Sequence, residues 1–300
     1  MELNVRFREE KINSRLNYPL NKMTSLGIGG PADYYVEPKN ISEIETIVNL
    51  ANEYKLPYVV LGNGTNVLIS DKGYKGIVIN MKNFLGITIK GDLVSALVGE
   101  NLDRLINRAI EHNLKGLEEL GGIPGTVGGA VKGNAGSNGK AISDYFFYAD
   151  YIAQDGKIRR MSNYGDNFSY RQSPFSDTDI LLNCSFRLAP CKDTAKAMQK
   201  KETFKTERKL KGQYAFPSAG CFFKNPESGV SAGKLIDDAG LKGFKMGNAI
   251  VSPYHASFLI NPTKKASAKE IYDLSLYIID KVKERFGITL EREVRLIGEF

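Results

Sequence analysis

The chain has 300 residues, of which 42% are hydrophobic and 25% are charged, and its formal net charge is +7. This length and composition predict a folded protein of two or three subdomains and exclude an intrinsically disordered chain. The positive charge does not by itself indicate a nucleic-acid partner, because the basic residues are interleaved with acids and form no arginine-rich run. A phosphorylated small molecule would explain the charge equally well.

Several other classes of protein are also excluded. The longest apolar runs fall far short of the roughly 20 residues of a membrane span. The first 20 residues are charged throughout and lack the apolar run of a secretory signal, so we expect a cytoplasmic protein. Three cysteines without framework spacing predict reduced thiols. The two histidines, His112 and His255, lie far from any cysteine in the sequence, and we predict no structural metal.

The first hundred residues read as helix followed by sheet. Apolar residues at helical spacing in "NISEIETIVNLANEYKLP" predict an amphipathic helix, with Ser42 and Glu45 as a candidate capping box. Next, "LPYVVLGNGTNVLISD" reads as a strand, a glycine loop and a second strand. The β-rich runs over 76–99 are separated by turn residues and predict more strands. A second amphipathic helix is expected over 101–113.

A glycine-rich segment follows. Residues 116–139 contain nine of the chain's 30 glycines. Glycine allows positive φ and a close approach of the backbone to a ligand, at an entropic cost that an ordinary loop would avoid. The alternative is a glycine-rich turn between sheet elements. Successive backbone N–H groups in such segments can bind phosphate oxygens, so we favour an anion-binding loop.

The middle of the chain returns to strands and ends in a helix. "YFFYADYIAQDGKIRRMS" predicts a hairpin around Asp155-Gly156, and "DILLNCSFRLAP" predicts a further strand. Between them lies "NFSYRQSPF". The charged segment 192–211 predicts a helix that connects to the last domain.

The last hundred residues predict a mixed α/β unit. A short helix is expected in "VSAGKLIDDAG", a strand pair in "GNAIVSPYHASFLIN" and a long helix in "SAKEIYDLSLYIIDKVKERFG". The final segment, 288–300, reads as a strand. Alternation along this strand places Glu293 and Arg295 on the same face.

Five motifs, in chain order, carry a family resemblance. They are "LGNGTNVLISD", "GGIPGTVGGAVKGNAG", "YRQSPF", "AGCFFKNP" and "EREVRLIGE". The glycine segments match neither the dinucleotide fingerprint nor the P-loop. Together, and over nearly the whole chain, the motifs resemble the UDP-N-acetylenolpyruvoylglucosamine reductases of bacterial peptidoglycan synthesis. The chain's short length is similar to that of the shorter of the family's two structural types.

The resemblance implies an α+β fold. A two-part FAD-binding region of the vanillyl-alcohol-oxidase/PCMH type would be followed by an α/β substrate-binding domain. We accordingly divide the chain into FAD-binding subdomain 1 (1–80), FAD-binding subdomain 2 (81–200) and the substrate-binding domain (201–300). Relatives that tether flavin covalently use a histidine or cysteine in the FAD domain. Because this chain has no histidine before His112 and no cysteine before Cys184, we expect non-covalent FAD.

The implied reaction has two halves. NADPH reduces FAD and leaves, and hydride then passes from the flavin to C3 of the enolpyruvyl group of UDP-N-acetylglucosamine enolpyruvate. The enolate-like product of that step needs charge stabilisation and a proton at C2. The motif match assigns the proton donor to Cys221 and the stabilising roles to Arg171 and Glu293.

The resemblance also implies binding residues. Those for FAD are Leu61, Gly62, Asn63, Gly64, Thr65, Asn66, Gly122, Ile123, Pro124, Gly125, Thr126, Gly128 and Gly129. Those for the substrate are Tyr170, Lys224, Asn225 and Arg295. Lys209, Lys211 and Lys234 are candidates for the UDP diphosphate or, equally, solvated surface charges. We expect a monomer or weak oligomer with no nucleic-acid or membrane partner.

Cys221 departs from the family pattern, which usually has serine at this position. A thiol, with a reference pKa of about 8.5, is mostly protonated at neutral pH and is a stronger acid than a hydroxyl. The chemistry therefore favours retention of the proton-donor role. Two alternatives remain open at this point: another PCMH-type flavin oxidoreductase acting on alcohols or sugars, and a non-catalytic nucleotide-sugar-binding protein.

Overall fold

The computed structural model describes residues 2–163 and 167–300. The α-helices are α1 (Glu2–Glu9), α2 (Ile41–Glu53), α3 (Leu102–Glu111), α4 (Val127–Lys132), α5 (Thr194–Leu210), α6 (Ala232–Asp238) and α7 (Ala268–Phe286). Short 3-10 helices cover Leu20–Met23, Glu118–Leu120 and Ile142–Asp144. Within the described ranges, no helix is long and apolar enough to cross a bilayer.

The strands outnumber the helices. They are β1 (Ser14–Pro19), β2 (Pro31–Val36), β3 (Tyr58–Leu61), β4 (Val67–Ile69), β5 (Tyr74–Asn80), β6 (Ile87–Lys90), β7 (Leu93–Leu97), β8 (Leu114–Lys115), β9 (Gly136–Ser137), β10 (Lys140–Ala141), β11 (Phe146–Ile152), β12 (Ile158–Ser162), β13 (Ile180–Arg187), β14 (Ala189–Pro190), β15 (Ser218–Cys221), β16 (Lys245–Met246), β17 (Ala249–Val251), β18 (Phe258–Ile260) and β19 (Arg295–Ile297). The mixture of helices and antiparallel sheets confirms the predicted α+β class.

The chain divides into two compact units, each built from segments that are distant in sequence. Unit 1 comprises residues 1–16, 34–63 and 76–206, and unit 2 comprises residues 17–33, 64–75 and 207–300. The three-part division of the chain at residues 80 and 200 stays a prediction.

Unit 1 contains a five-stranded antiparallel sheet in the order β12-β11-β13-β7-β6. The predicted hairpin around Asp155-Gly156 is confirmed, since β11 and β12 pair from Ile152 opposite Ile158. Strands β3 and β5 pair in parallel. The apolar side chains of α2, α3, α4 and this sheet belong to a single buried core, as their hydrophobic spacing predicts.

Unit 2 contains a four-stranded antiparallel sheet in the order β15-β18-β17-β16. The expected strand pair is β17 and β18, and the expected long helix is α7. This helix packs its apolar face into the core that also holds Phe222 and Phe223. A separate parallel pair joins β4 to β19.

Helix ends follow local capping chemistry, although not always at the predicted residue. Helix α7 begins with a capping box of Ser267 and Glu270 and ends at Gly287, which has φ +71°. At α2 the expected capping box of Ser42 and Glu45 is wrong. The Asn40 side chain accepts from the Glu43 N–H at 2.9 Å, so the residue before Ile41 caps the helix.

The C-terminal strand is shorter than predicted. Only Arg295–Ile297 form a strand, because their partner, β4, is itself three residues long. The preceding segment is held by an isolated antiparallel bridge between Phe223 and Arg292. The strand predicted over 288–300 is therefore a bridged extended segment followed by a short strand.

Candidate functional site

Two glycine loops that are far apart in sequence meet within unit 1. Leu61 ends β3, and the Asn80 side chain donates to the Gly62 carbonyl at 3.2 Å. A Cβ added to Gly62 would lie 2.5 Å from Thr126 Oγ1, well inside van der Waals contact. Glycine at position 62 therefore lets the first loop pack directly on Thr126, in the second loop.

Several N–H groups of the second loop are hydrogen-bonded to other groups of the protein. Thr126 caps α4, since its Oγ1 accepts from the Gly129 N–H at 3.2 Å. The Val127 N–H donates to the Glu100 carbonyl at 2.8 Å, and the Gly128 N–H donates to the Val98 carbonyl at 2.9 Å. These bonds fix the start of α4 against the segment that joins β7 to α3.

Four other N–H groups at this meeting point have no acceptor within residues 2–163 and 167–300. They belong to Gly62, Asn63, Gly125 and Thr126. Backbone donors left without a protein acceptor fit the phosphate oxygens of a dinucleotide. All four residues are among those predicted to bind FAD.

The rest of the first loop belongs to unit 2. Gly64 has φ +59°, and a Cβ there would lie 2.0 Å from the Met23 carbonyl oxygen. Asn66 is tied to the C-terminal segment, because its Nδ2 donates to the Glu293 carbonyl at 3.3 Å and its carbonyl accepts from the Arg295 N–H at 3.1 Å. Asn66 thus lies beside the residues predicted to act on the substrate.

Arg171 occupies a strained position at the tip of a turn. Ser169 and Gln172 exchange backbone hydrogen bonds of 3.2 and 3.1 Å, leaving Tyr170 and Arg171 as the central residues. Arg171 has φ +57°, in the left-handed region that L-residues with a side chain rarely adopt. Its guanidinium lies 5.2 Å from the centre of the Tyr170 ring. Backbone strain of this kind is concentrated at functional sites.

The glycine-rich segment supports the Arg171 turn directly. The Gly136 carbonyl accepts from Arg171 Nη2 at 3.1 Å. The buried Asn134 donates from Nδ2 to the Ser169 carbonyl at 2.9 Å, and its Oδ1 accepts from the Ser143 N–H at 3.0 Å. The "GNAG" and "YRQSPF" motifs are therefore one structural assembly within unit 1.

In unit 2, Cys221 ends β15 and is half-buried. It pairs with Phe258 across the sheet and follows Gly220, which has φ +77°. The next two side chains, Phe222 and Phe223, are buried. The end of the strand is thus fixed by the two buried phenylalanines that follow it, and Cys221 remains partly accessible.

The C-terminal segment runs antiparallel to the chain that follows Cys221. The Phe222 carbonyl accepts from the Glu293 N–H at 2.9 Å, and the Lys224 N–H donates to the Glu291 carbonyl at 2.9 Å. The structure therefore places Glu293 beside the residue that follows Cys221. Two motifs that are distant in the sequence of unit 2 are brought together.

The predicted substrate residues of unit 2 lie along the same two segments. Lys224 Nζ forms an ion pair with Glu291 at 3.0 Å. Asn225 Oδ1 accepts from the Ala232 N–H at 3.0 Å, which fixes the turn before α6. Arg295 begins β19. The candidate diphosphate residue Lys234 forms an ion pair with Asp238 within α6.

Sequence reasoning missed four polar residues that hold the loops: Asn80, Asp103, Asn134 and Lys201. Each acts on a backbone or side-chain group distant in sequence. Asn134 offered one signal, because asparagine within a glycine-rich run often takes positive φ, and here φ is +40°. The other three stand among ordinary polar residues and carry no local signal.

His255 is a half-buried histidine of unit 2. Burial lowers its pKa, and Lys211 and Lys242 lower it further. Its Nδ1 is buried with no hydrogen-bond partner in the described part of the chain. The ring packs against Phe258 at 4.8 Å.

We expect His255 to make the fold sensitive to mild acid. Because the folded pKa lies below the unfolded value of about 6.5, the unfolded state binds a proton first as the pH falls, so stability declines below that pH. Between pH 7.5 and pH 5.5, the urea concentration at the midpoint of unfolding should fall less for the His255→Gln protein than for the wild type. Parallel declines in the two proteins would contradict the assignment.

The chain is similar to known proteins over nearly its whole length. Residues 32–162 match the FAD binding domain model, and residues 212–297 match the model of the UDP-N-acetylenolpyruvoylglucosamine reductase C-terminal domain. The UDP-N-acetylenolpyruvoylglucosamine reductase of Streptococcus uberis is 39% identical over 96% of this chain and 94% of its own. UDP-N-acetylenolpyruvoylglucosamine reductase 2 of Bacillus cereus is 40% identical over 93% of this chain and 91% of its own.

Solved structures give the same result. The UDP-N-acetylenolpyruvylglucosamine reductase of Thermus caldophilus superposes with a TM-score of 0.79 at 33% identity, covering 96% of this chain and 99% of that one. The BBE-like 1 protein of Physcomitrella patens superposes with a TM-score of 0.50 at 13% identity, covering 63% of this chain and 44% of that one. The second match concerns the fold alone. It accords with the predicted PCMH-type FAD-binding region.

Proposed function

The chain belongs to the UDP-N-acetylenolpyruvoylglucosamine reductase family, and we propose that Cys221, Arg171 and Glu293 carry the proton transfer and charge stabilisation of its reaction. The protein is a FAD-dependent oxidoreductase of peptidoglycan synthesis with NADPH as the reductant. The family relationship favours this function over an alcohol or sugar oxidase and over a non-catalytic binding protein. The proposed substrate is UDP-N-acetylglucosamine enolpyruvate.

The observation that carries the proposal is the pairing of the Cys221 and Glu293 segments. Hydrogen bonds of the Phe222 carbonyl with Glu293 and of the Lys224 N–H with Glu291 fix the two segments in register. A thiol and a carboxyl group on adjacent, hydrogen-bonded backbones suit an acid–base step, because catalysis depends on held geometry. Cys221 would donate its thiol proton to C2 and be reprotonated from solvent, and Glu293 in its protonated form would donate a hydrogen bond that stabilises the enolate-like group.

The loops of unit 1 would hold the cofactor. Bound FAD supplies the hydride that is transferred to C3. The Gly62, Asn63, Gly125 and Thr126 N–H groups would bind its phosphate oxygens, because they have no acceptor among the described residues. We propose that FAD binds without a covalent bond, since the described part of unit 1 before α3 contains neither histidine nor cysteine.

Arg171 would supply positive charge to the substrate carboxylate. Its guanidinium is held by the Gly136 carbonyl and lies over Tyr170, so the charge is fixed before substrate arrives. A fixed cation stabilises developing negative charge without reorganisation during the reaction. We further propose that the enzyme acts in the cytoplasm, as a monomer or weak oligomer. Its three free cysteines suit that reducing compartment.

The proposed activity is tested by mixing the purified protein with NADPH and UDP-N-acetylglucosamine enolpyruvate. We expect a yellow protein whose flavin absorption bleaches with NADPH and returns when the enolpyruvyl substrate is added. NADPH oxidation should stop when UDP-N-acetylglucosamine, which lacks the enolpyruvyl group, replaces the substrate. A flavin that NADPH bleaches but the substrate does not restore would overturn the proposed substrate and leave the FAD site intact.

A further inference from the structure

A buried lysine forms an ion pair with a partly exposed aspartate beside Gly121 and Gly122, in the second glycine loop. Lys201, on α5, is 1% exposed, although most of that helix is polar and solvated. Its Nζ donates to Asp103 Oδ2 at 2.8 Å and to Glu202 Oε1 at 2.9 Å. Burying a charged lysine costs desolvation energy, and an apolar side chain of similar size often stabilises a fold as well. The buried lysine at this place therefore calls for a role other than bulk stability.

The second oxygen of Asp103 is bonded to the loop itself. Asp103 Oδ1 accepts from the Gly122 N–H at 2.9 Å. Lys205 Nζ also lies 3.2 Å from Asp103 Oδ2. Burial opposes ionisation of Asp103, but the hydrogen bonds from Lys201, Gly122 and Lys205 outweigh it and lower its pKa. Asp103 is thus an anion at neutral pH, which strengthens its hydrogen bond to the loop.

The loop backbone also packs on Lys201 directly. A Cβ on Gly121 would lie 2.7 Å from Lys201 Cγ and 2.9 Å from the Lys201 carbonyl oxygen. Gly122 has φ +76°, so the chain reverses there into the segment that leads to Gly125 and Thr126. The first peptide units of the loop are therefore held by two helices. Helix α3 contributes Asp103, and helix α5 contributes Lys201.

We propose that Asp103 and Lys201 are positioning residues for the flavin loop. Asp103 orients the Gly122 peptide, and Lys201 holds the Asp103 carboxylate while its stem supports Gly121. The backbone of the loop is then already ordered, with the Gly125 and Thr126 N–H groups in place, before FAD binds. Such preorganisation raises the affinity for FAD. This inference rests on the proposed FAD contacts of residues 122–129.

The test uses three variants and one matched control. Asp103→Ala removes the acceptor and the charge. Asp103→Asn keeps an oxygen for the Gly122 N–H but removes the charge, and Lys201→Met keeps the length of the buried stem. The control is Asp150→Asn, because Asp150 forms a two-point ion pair with Arg160, also in unit 1, on the β11–β12 hairpin.

The primary measurement is the Kd of the apoprotein for FAD, from quenching of flavin fluorescence. We expect Asp103→Ala to weaken FAD binding about tenfold or more, the equivalent of losing one charged hydrogen bond. Asp103→Asn should lie between Asp103→Ala and the wild type, since the amide oxygen restores part of the contact. Lys201→Met should also weaken binding, and Asp150→Asn should not.

A second measurement separates positioning from general stability. Hydrogen exchange of the peptide that contains Gly122 should accelerate in Asp103→Ala and not in the Asp150→Asn control. An Asp103→Ala protein that melts earlier but binds FAD within twofold of the wild type would overturn the inference. Wild-type protein that binds FAD but leaves the substrate unreduced would overturn the proposed catalytic roles and leave this inference standing.

Discussion

Cys221→Ala is expected to abolish reduction of the enolpyruvyl substrate while NADPH still reduces the flavin. The alanine removes the thiol proton that we assign to C2, and loss of a general acid typically lowers a rate by about 10²–10⁴-fold. The fold should tolerate the change, because Cys221 is half-buried and its strand is fixed by Phe222 and Phe223. Rapid mixing followed at the flavin absorption band measures the two half-reactions separately.

Cys221→Ser tests whether sulfur or position matters. A hydroxyl at the same place can also donate a proton, and serine is the usual residue of the family at this position. The serine variant should therefore keep substantial turnover. Cys191→Ala is the matched control, since Cys191 is a second thiol, in unit 1, whose Sγ donates to the Asp193 carbonyl. Equal damage to both half-reactions in Cys221→Ala, or no damage to either, would refute the proton-donor role.

The sequence was most informative where function is carried by local pattern. The two glycine loops, the Asp155-Gly156 hairpin and the ends of α7 depend on residues close together in the chain, and the structure confirms the hairpin and the long helix. Such features follow from backbone conformation and capping, which a short window of sequence determines.

Long-range polar pairing could not be foreseen in the same way. Asp103 and Lys201 lie 98 positions apart, and nothing near either residue indicates that they meet. The same holds for Asn134 and the Ser169 carbonyl, 35 positions apart. Since charged residues are mostly solvated, sequence alone favours an exposed lysine at position 201, and only the packing of α5 places it in the interior.

The backbone at Arg171 allows its functional and structural contributions to be measured separately. Arg171→Gly and Arg171→Ala both remove the guanidinium, its bond to the Gly136 carbonyl and its contact with Tyr170. They differ in the positive φ, which glycine adopts freely and alanine does not. We therefore expect both variants to lose substrate reduction, and the glycine variant to be more stable than the alanine variant by about 1 kcal/mol in urea unfolding.

Lys55 supplies the matched control for this strain. It is an exposed basic residue of unit 1 with φ +52°, directly after the C-cap of α2. The Lys55→Gly protein should be more stable than the Lys55→Ala protein by a similar margin. The rates of both half-reactions should stay unchanged in the two variants. Full substrate turnover in Arg171→Gly would show that the strained arginine is not needed for catalysis. The other outcome is loss of turnover in a glycine variant that is at least as stable as the alanine variant. That result would show that the positive charge of Arg171 is needed for turnover, although its backbone conformation is strained.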